Sequence, residues 1–527
     1  AAILNYGDAD LLMSDVAQSA RAVDYLMQMA WHQYHHRDRG GIARLFARKN
    51  SSEIAPGIKV VNKEVVIDSE FDIDSDPVIG LRAAATAAQL GLRLSFDALR
   101  IYADALDSGR GALPQPWPRE AREYLIALIG AGPAMVEIFE ALDQEEIIFH
   151  WIPEWRAVRS LPQRNVLHRH TVDRHMVETA VAAAALTREV HRPDLLLFTS
   201  LFHDIGKGTE DDHSLRGEEL IKPLASRIGF NERDIATISL LIRHHLLLSA
   251  TATRRDLDDP ATIASVVESI TDVGNLELLH ALSIADGEAT GRAAWSDWKA
   301  SLVSELVRKT KLALTDNTVV PQPELTSEQI KRATTGKLDV TIVDRGNVYA
   351  IEIISPDRTG LLSIIAGVLN LLRLDVRSAR TKTVDSVAVM EWIVVPDPNA
   401  PDLSREDLHR EIVKGLDAQE KLAERIAARI EAYSLMPSIP VPPPVVETFL
   451  DAATDATVIE VRSHDRPALL FSIGDTVRKC NIDIKSAIVT TLGAEAIDTL
   501  YVTEVGGGAL TAERAAEVTS RIDASLK

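Results

Sequence analysis

A single cysteine, Cys480, stands in the 527 residues. An intrachain disulfide is therefore excluded, and a reducing compartment is the expected setting, with the cytoplasm as the default. Basic residues are in short supply: 57 Lys and Arg face 77 Asp and Glu, for a formal charge of -20. That balance argues against a broad nucleic-acid footprint and against an anionic membrane surface. Long apolar runs are also missing. The longest, Val181 to Leu186, is closed off by Arg188 and Glu189, far short of the ~18 residues of a membrane span. No signal-peptide pattern is visible. Aromatics make up only 5%, but 46% hydrophobic and 25% charged residues are ordinary for a soluble globular chain. At this length roughly three to five domains are expected. Because the chain starts at Ala1 inside a helical-looking segment, a fragment of a longer protein is expected.

Along the chain, apolar residues recur at helical spacing from Asp10 to about His36. Ile58 to Ile67 alternates β-branched residues around Asn62-Lys63, which predicts a small hairpin. Helical patterns return over Pro77 to Leu92, after a predicted N-cap at Ser95, and from Arg119 to Leu142. Residues 1–150 therefore read as a mostly helical region. A second run of helices, 151–318, holds ten of the fifteen histidines when His150 is counted with it. After a linker at 319–338 the pattern changes to strand, turn, helix and strand.

The last third repeats itself. With an offset of 108 residues, Asp357-Arg-Thr-Gly-Leu-Leu362 falls on Asp465-Arg-Pro-Ala-Leu-Leu470, and Leu374 to Ala379 falls on Ile482 to Ala487. Two copies of one module, at 339–400 and 451–527, are thus predicted, joined through a charged helical and Pro-rich stretch at 401–450.

The histidines carry the strongest chemical signal. His203-Asp204 follows the apolar helix Leu195 to Phe202, His175 lies about one helix upstream, and His213, the pair His244-His245 and Asp286 follow. Hard and borderline ligands on neighbouring helices suit a divalent ion. Two adjacent histidines on a helix point about 100° apart, so both reach one ion only from the helix edge. His168, His170 and His280 read as supporting or structural.

His175, Phe202-His-Asp-Ile-Gly-Lys207, Asp212-His213, Arg243-His-His245 and Ala285-Asp286 resemble the HD superfamily of metal-dependent phosphohydrolases. The resemblance implies one ion on His175, His203, Asp204 and Asp286. In binuclear members a second would lie on His213, His244 and His245, with Asp204 as bridge. Mn2+ or Mg2+ is expected, with Fe or Zn left open. Asp204 and Lys207 are the expected catalytic pair, Lys207 steadying a phosphate oxygen.

The repeated modules resemble ACT domains, which implies ferredoxin-like βαββαβ folds and an amino-acid effector beside the first turn. The expected effector-binding residues are Asp357, Arg358, Gly360 and Leu361 in the first copy and Asp465, Arg466, Ala468 and Leu469 in the second. Gly360 suits close backbone approach. Ala468 departs from the glycine of the pattern, which speaks against a close-contact site there.

The overall fold class is thus multidomain α and α+β: a helical N-terminal region, an all-α HD domain and two ACT domains. That combination is similar to the bifunctional uridylyltransferase/uridylyl-removing enzymes of nitrogen control. His168-Arg-His-Thr-Val-Asp-Arg-His175, Ile242-Arg-His-His-Leu-Leu247 and Val458 to Pro467 carry the likeness. The Gly-Ser turn and paired aspartates of that family's transferase domain are not found in residues 1–100. The resemblance implies removal of UMP or AMP from a tyrosine of the PII signal protein, stimulated by glutamine, without the transferase activity. No oligomeric state is implied. A free nucleotide or cyclic dinucleotide as substrate, or a regulator that only holds PII, are the other readings.

Overall fold

The computed structural model describes residues 6–37, 52–68, 70–164, 168–209, 211–291, 294–316, 325–345, 348–397, 400, 402–433, 442–492 and 495–526. They form two compact units, one within Ala1–Leu248 and Asp272–Ala300, the other within Ser249–Thr271 and Ser301–Lys527. The short segment 249–271 thus groups with the C-terminal modules rather than with the histidine-rich helices that flank it in sequence.

In the first unit, α1 (Ala9–Arg37) precedes a four-stranded sheet of β1 (Ser52–Ala55), β2 (Ile58–Val61), β3 (Glu64–Ile67) and β4 (Arg93–Leu94). The β2–β3 turn is the hairpin expected at Asn62-Lys63. Both residues adopt left-handed φ, 54° and 66°, the conformation a two-residue hairpin requires. Next come α2 (Ile79–Leu90) and α3 (Phe96–Asp107), the latter capped by Ser95, whose hydroxyl accepts from the Ala98 N–H at 3.1 Å. The helical stretch read over Arg119 to Leu142 divides into α4 (Arg119–Ile129) and α5 (Pro133–Gln144), bent by 118°. Gly130-Ala131-Gly132 ends the first helix and Pro133 opens the second.

After α6 (Ile147–Trp151) comes the histidine-bearing bundle: α7 (Val172–Ala185), α8 (Pro193–Phe202), α9 (His213–Ile228), α10 (Glu232–Arg243) and α13 (Val273–Thr290). Here α8 is buried over nearly its whole length and packs against α7, α10 and α13. Its sequence, Pro-Asp-Leu-Leu-Leu-Phe-Thr-Ser-Leu-Phe, is apolar all round because every face meets another helix. Glu232–Arg254 is the one described stretch long and apolar enough to cross a membrane by length and composition. It is broken by a turn at residues 244–246, where buried His245 joins a polar cluster.

The second unit holds α11 (Leu247–Arg254) from Ser249 onward, α12 (Pro260–Ser269), most of α14 (Asp297–Asp316), α15 (Ser327–Ala333) and the two modules. The first module comprises β5 (Asp339–Asp344), β6 (Tyr349–Pro356), α16 (Leu361–Leu371), β7 (Leu374–Val384), β8 (Val387–Pro396) and α17 (Arg405–Asp417). After α18 (Gln419–Tyr433), the second repeats the plan with β9 (Val445–Phe449), β10 (Thr457–His464), α19 (Leu469–Lys479), β11 (Ile482–Leu492), β12 (Glu495–Glu504) and α20 (Ala512–Leu526). Each is ferredoxin-like, but its fourth strand precedes the unit in sequence instead of following it: β5 borders β6, and β9 borders β10. The order along the chain is therefore ββαββα. Of the linker expected at 319–338, residues 319–324 lie outside the described residues, as does much of the Pro-rich segment, while the described remainder carries α15.

One continuous eight-stranded sheet results, in the order β5-β6-β8-β7-β11-β12-β10-β9. The modules meet through antiparallel β7 and β11, with Ser378 opposite Thr490 and Lys382 opposite Ser486. Those two pairs interchange under the 108-residue offset, so the junction is a pseudo-two-fold, self-complementary contact. Residues of alternate parity then serve opposite faces. Ile353, Val461, Val489 and Leu500 join the helices in a shared core, whereas Val458, Ile488 and Tyr501 form a separate small cluster on the other face.

Candidate metal centre

Every residue of the centre is placed by a helix end or a helix face. His175 lies one turn into α7, whose Asp173 is held by Arg21 of α1 at 2.7 Å. His203 terminates α8, and Asp204 follows in the turn. His213 opens α9, where the Asp212 side chain accepts from the Ser214 and Leu215 N–H groups. His245 sits in the turn after α10, and Asp286 lies in the last stretch of α13. Gly206 permits this convergence. A Cβ there would meet the His213 carbonyl oxygen at 2.1 Å and the Gly217 nitrogen at 2.4 Å, so only glycine lets the turn after His203-Asp204 lie against α9.

The donors form two groups of three, His175, His203 and Asp286, and Asp204, His213 and His245, each set with its ligand atoms within 4.8 Å of one another. Asp204 faces both. Its Oδ2 lies 3.4 Å from His203 Nε2 and 3.8 Å from His175 Nε2, and its Oδ1 lies 3.6 Å from both His213 Nε2 and His245 Nε2. Across the first group, Asp286 Oδ1 is 3.0 Å from His175 Nε2 and 3.6 Å from His203 Nε2.

The histidine tautomers follow from their second nitrogens. His203 Nδ1 lies 2.9 Å from the Ser200 carbonyl, and His245 Nδ1 lies 2.7 Å from that of Ile242. A carbonyl only accepts, so the proton is on Nδ1 and the Nε2 lone pair faces the cluster, the orientation metal-binding histidines adopt. Buried His203 Nε2 has no hydrogen-bond partner of its own. Burial pushes His245 down to about 4 and also lowers His213, which keeps both rings neutral. Burial acts to raise Asp204, but the facing His203, Lys207, His245 and His175 hold its carboxyl well below the usual carboxylate range. Burial acts to lower His203, but the facing Asp204 and Asp286 raise it. Imidazole nitrogens and carboxylate oxygens gathered in one buried cluster are the donor chemistry of a divalent cation, so the residues fit such an ion.

Lys207 Nζ reaches Asp204 Oδ2 at 2.6 Å and Gln163 Oε1 at 2.8 Å. Gln163 was not among the expected site residues, since nothing in its spacing marks a lone glutamine in a loop. His244, expected beside His245, stands outside both groups. It is half-buried and answers to Arg243 and Glu218, because one residue of helical rotation turns it away. His168 packs edge-on against His175 with ring centroids 5.2 Å apart. His170 and His280 belong to neither donor group.

The expected effector residues divide as well. Asp465, Arg466, Ala468 and Leu469 line a cavity of about 450 Å3 together with Asn370, Asp375, Arg377, Thr491 and Asp498. At the first module's turn, the Arg478 side chain lies directly on Gly360: a Cβ there would meet its Cδ at 2.5 Å. The roomier turn is thus the one that carries alanine. Ala468 adopts the left-handed conformation itself, φ 62°, so the turn is kept without glycine.

Comparison with known proteins bears on the same residues. The family model described as HD domain matches residues 172–272. The chain is 38% identical to the bifunctional uridylyltransferase/uridylyl-removing enzyme of Streptomyces coelicolor, in an alignment that covers 100% of this chain and 70% of that protein. It is also 38% identical to the enzyme of the same name from Mycobacterium tuberculosis, covering 95% of this chain and 64% of the relative. The Azospirillum brasilense enzyme is 26% identical, with 91% and 58% covered. The chain therefore spans about two thirds of the length of these relatives.

Proposed function

We propose a hydrolytic function from the premise that this chain belongs to the family of bifunctional uridylyltransferase/uridylyl-removing enzymes. The reaction is removal of a nucleotidyl group, UMP or AMP, from a tyrosine of the PII signal protein. The observation that carries it is the double facing of Asp204, one carboxylate oxygen toward each group of donors.

In this reading His175, His203, Asp204 and Asp286 would hold one divalent ion, and Asp204, His213 and His245 a second. When bound, such ions activate water at neutral pH and neutralise charge on phosphoryl oxygens. The side chains do the remainder. Asp204 orients the two groups relative to each other, and the carbonyls of Ser200 and Ile242 keep His203 and His245 in their donor tautomers. Lys207, steered by Gln163, places a positive charge beside Asp204 where a non-bridging phosphoryl oxygen would gain from it.

The division into a helical region, an HD domain and paired ACT modules belongs to the same proposal, as does glutamine as the effector bound by the modules. Incubating the chain with nucleotidylated PII and Mn2+, with and without glutamine, and following the mass of PII tests it. Loss of one nucleotide mass, faster with glutamine, is the expected result. PII that keeps its nucleotide under every divalent metal would overturn the assignment.

A further inference from the structure

Helix α1 is fastened to the first unit by polar bonds. Arg21 reaches Glu140, Asp143 and Asp173, Tyr25 donates to Glu145 at 3.2 Å, and Arg164 holds Asp10 at 2.6 Å. The side of α1 away from these bonds is apolar and lies in solvent. Met13, Val16, Val23, Met27 and Tyr34 are each more than half exposed. A surface helix ordinarily turns its apolar stripe inward, so α1 is inverted.

The stripe has a strict period. With Ala9, Ala20 and Ala30, which are also exposed, these residues recur at alternating steps of four and three from Ala9 to Tyr34. No charged residue interrupts it. Apolar positions at that spacing are the knobs of a two-stranded coiled coil, and a contiguous exposed apolar patch marks a contact surface.

The order of sizes along the stripe selects the occupant. In an antiparallel pair of α1 helices, Ala9 faces Tyr34 of the second copy, Met13 faces Ala30, Val16 faces Met27 and Ala20 faces Val23. Each layer then sets a smaller side chain against a larger one, as close packing requires. A parallel pair would put Ala20 on Ala20 and Tyr34 on Tyr34, leaving a void in one layer and crowding in another. Charge favours the same direction: Asp8, Asp10 and Asp15 lie in the first half of the helix, and His35, His36 and Arg37 close its other end. Antiparallel pairing brings unlike ends together and opposes the helix dipoles. With Leu26 and Trp31, both exposed beside the stripe, two copies would remove on the order of 1,000 Å2 from water, the size at which a specific interface begins.

We propose that two copies of this chain associate through α1, antiparallel, in a self-complementary contact whose two-fold axis passes between the Ala20–Val23 layers. The contact backs onto the metal centre, because Arg21 on the inner side of α1 bonds Asp173, two residues before His175.

Sedimentation velocity of the full chain across micromolar concentrations tests the association. Wild type is expected at twice the chain mass. Val23→Glu, which sets a carboxylate in the seam, is expected at one chain mass, and thermal melting reports that it folds. Direction is read separately by mixing Met13→Cys with Ala30→Cys and oxidising the mixture; the chain's own Cys480 is buried. A disulfide between the two variants is expected, with neither variant crosslinking to itself. A monomeric wild type would assign the stripe to a different protein and overturn the proposal. So would a dimeric Val23→Glu, or a Met13→Cys that crosslinks to its own copy.

Discussion

Lys207 Nζ lies 2.6 Å from Asp204 Oδ2, on the carboxylate oxygen that also faces His175 and His203. A cation fixed there by Gln163 adds a positive charge beside the donors without belonging to either group. Lys207→Ala is therefore expected to lower kcat for nucleotidyl removal by about 10- to 100-fold. Bound metal, measured by inductively coupled plasma mass spectrometry, should stay at the wild-type level. Loss of metal together with activity would make Lys207 a scaffold of the centre instead.

His244 and His245 are neighbours in sequence but not in chemistry. His245→Ala should reduce the metal content of the purified chain and abolish hydrolysis, whereas His244→Ala should retain activity within about threefold, as an ordinary half-buried substitution would. Equal losses in the two variants would show that α10 turns its other edge to the centre in solution.

Arg21 ties α1 to the site from a distance. Its guanidinium bonds Glu140, Asp143, Asp173 and Ser160, and Asp143 and Asp173 are almost fully buried. Arg21→Ala strands Asp173, two residues before His175, while Asp143 keeps Arg159 at 2.9 Å. A loss of about 3 to 5 kcal/mol is expected, the usual result of removing one partner from a buried charge cluster. Chemical denaturation of the first transition measures it.

Asp256 fastens the segment after α11 to the face of the sheet opposite the shared core. Its N–H donates to the Tyr501 hydroxyl at 2.7 Å, and its carboxylate accepts from Ser486 at 2.7 Å. Along the chain, α11 starts two residues after His245. Tyr501→Phe should leave hydrolysis without glutamine unchanged and shrink the stimulation by glutamine, comparing rates with saturating and zero effector. A stimulation equal to wild type would show that the hydroxyl plays no part.

The raised carboxyl of Asp498 gives the fold a pH signature. A carboxyl with a folded value near 7, above its unfolded value, binds its proton more tightly in the native state. Its contribution is then fully present below about pH 4 and is lost as pH rises toward 7. Asp498→Asn removes that dependence. Relative to wild type the variant should gain on the order of 3 kcal/mol between pH 4 and 8, read from denaturation midpoints. Parallel curves for the two proteins would contradict it.

Much of this architecture is legible in the chain. Period 3.6 marks α1 and α2, an unbroken apolar run marks α8, alternation marks the β2–β3 hairpin, and Ser95 announces the cap of α3. The ordered set His175, His203-Asp204, His213, His244-His245 and Asp286 stands out before any coordinates, because metal donors are chemically distinctive residues; of these, His244 stands outside both donor groups. Local spacing could not show the bend between α4 and α5, where both helices keep their pattern across a three-residue break. Nor could it show that each module's edge strand comes from upstream, since strand identity is local and strand order is not.

What the amino-acid order determined by itself is therefore composition-level and local: which segments are helix or strand, which residues have donor chemistry, and that one module occurs twice. The tertiary structure alone decided which donors meet. It turned His244 away from His245, brought Gln163 to Lys207, and laid Arg478 over Gly360 while leaving the cavity at Ala468 open. The physical reason is that side-chain direction and packing depend on contacts between residues far apart in the chain, 44 positions for Gln163 and Lys207 and 118 for Gly360 and Arg478, and no local pattern encodes those.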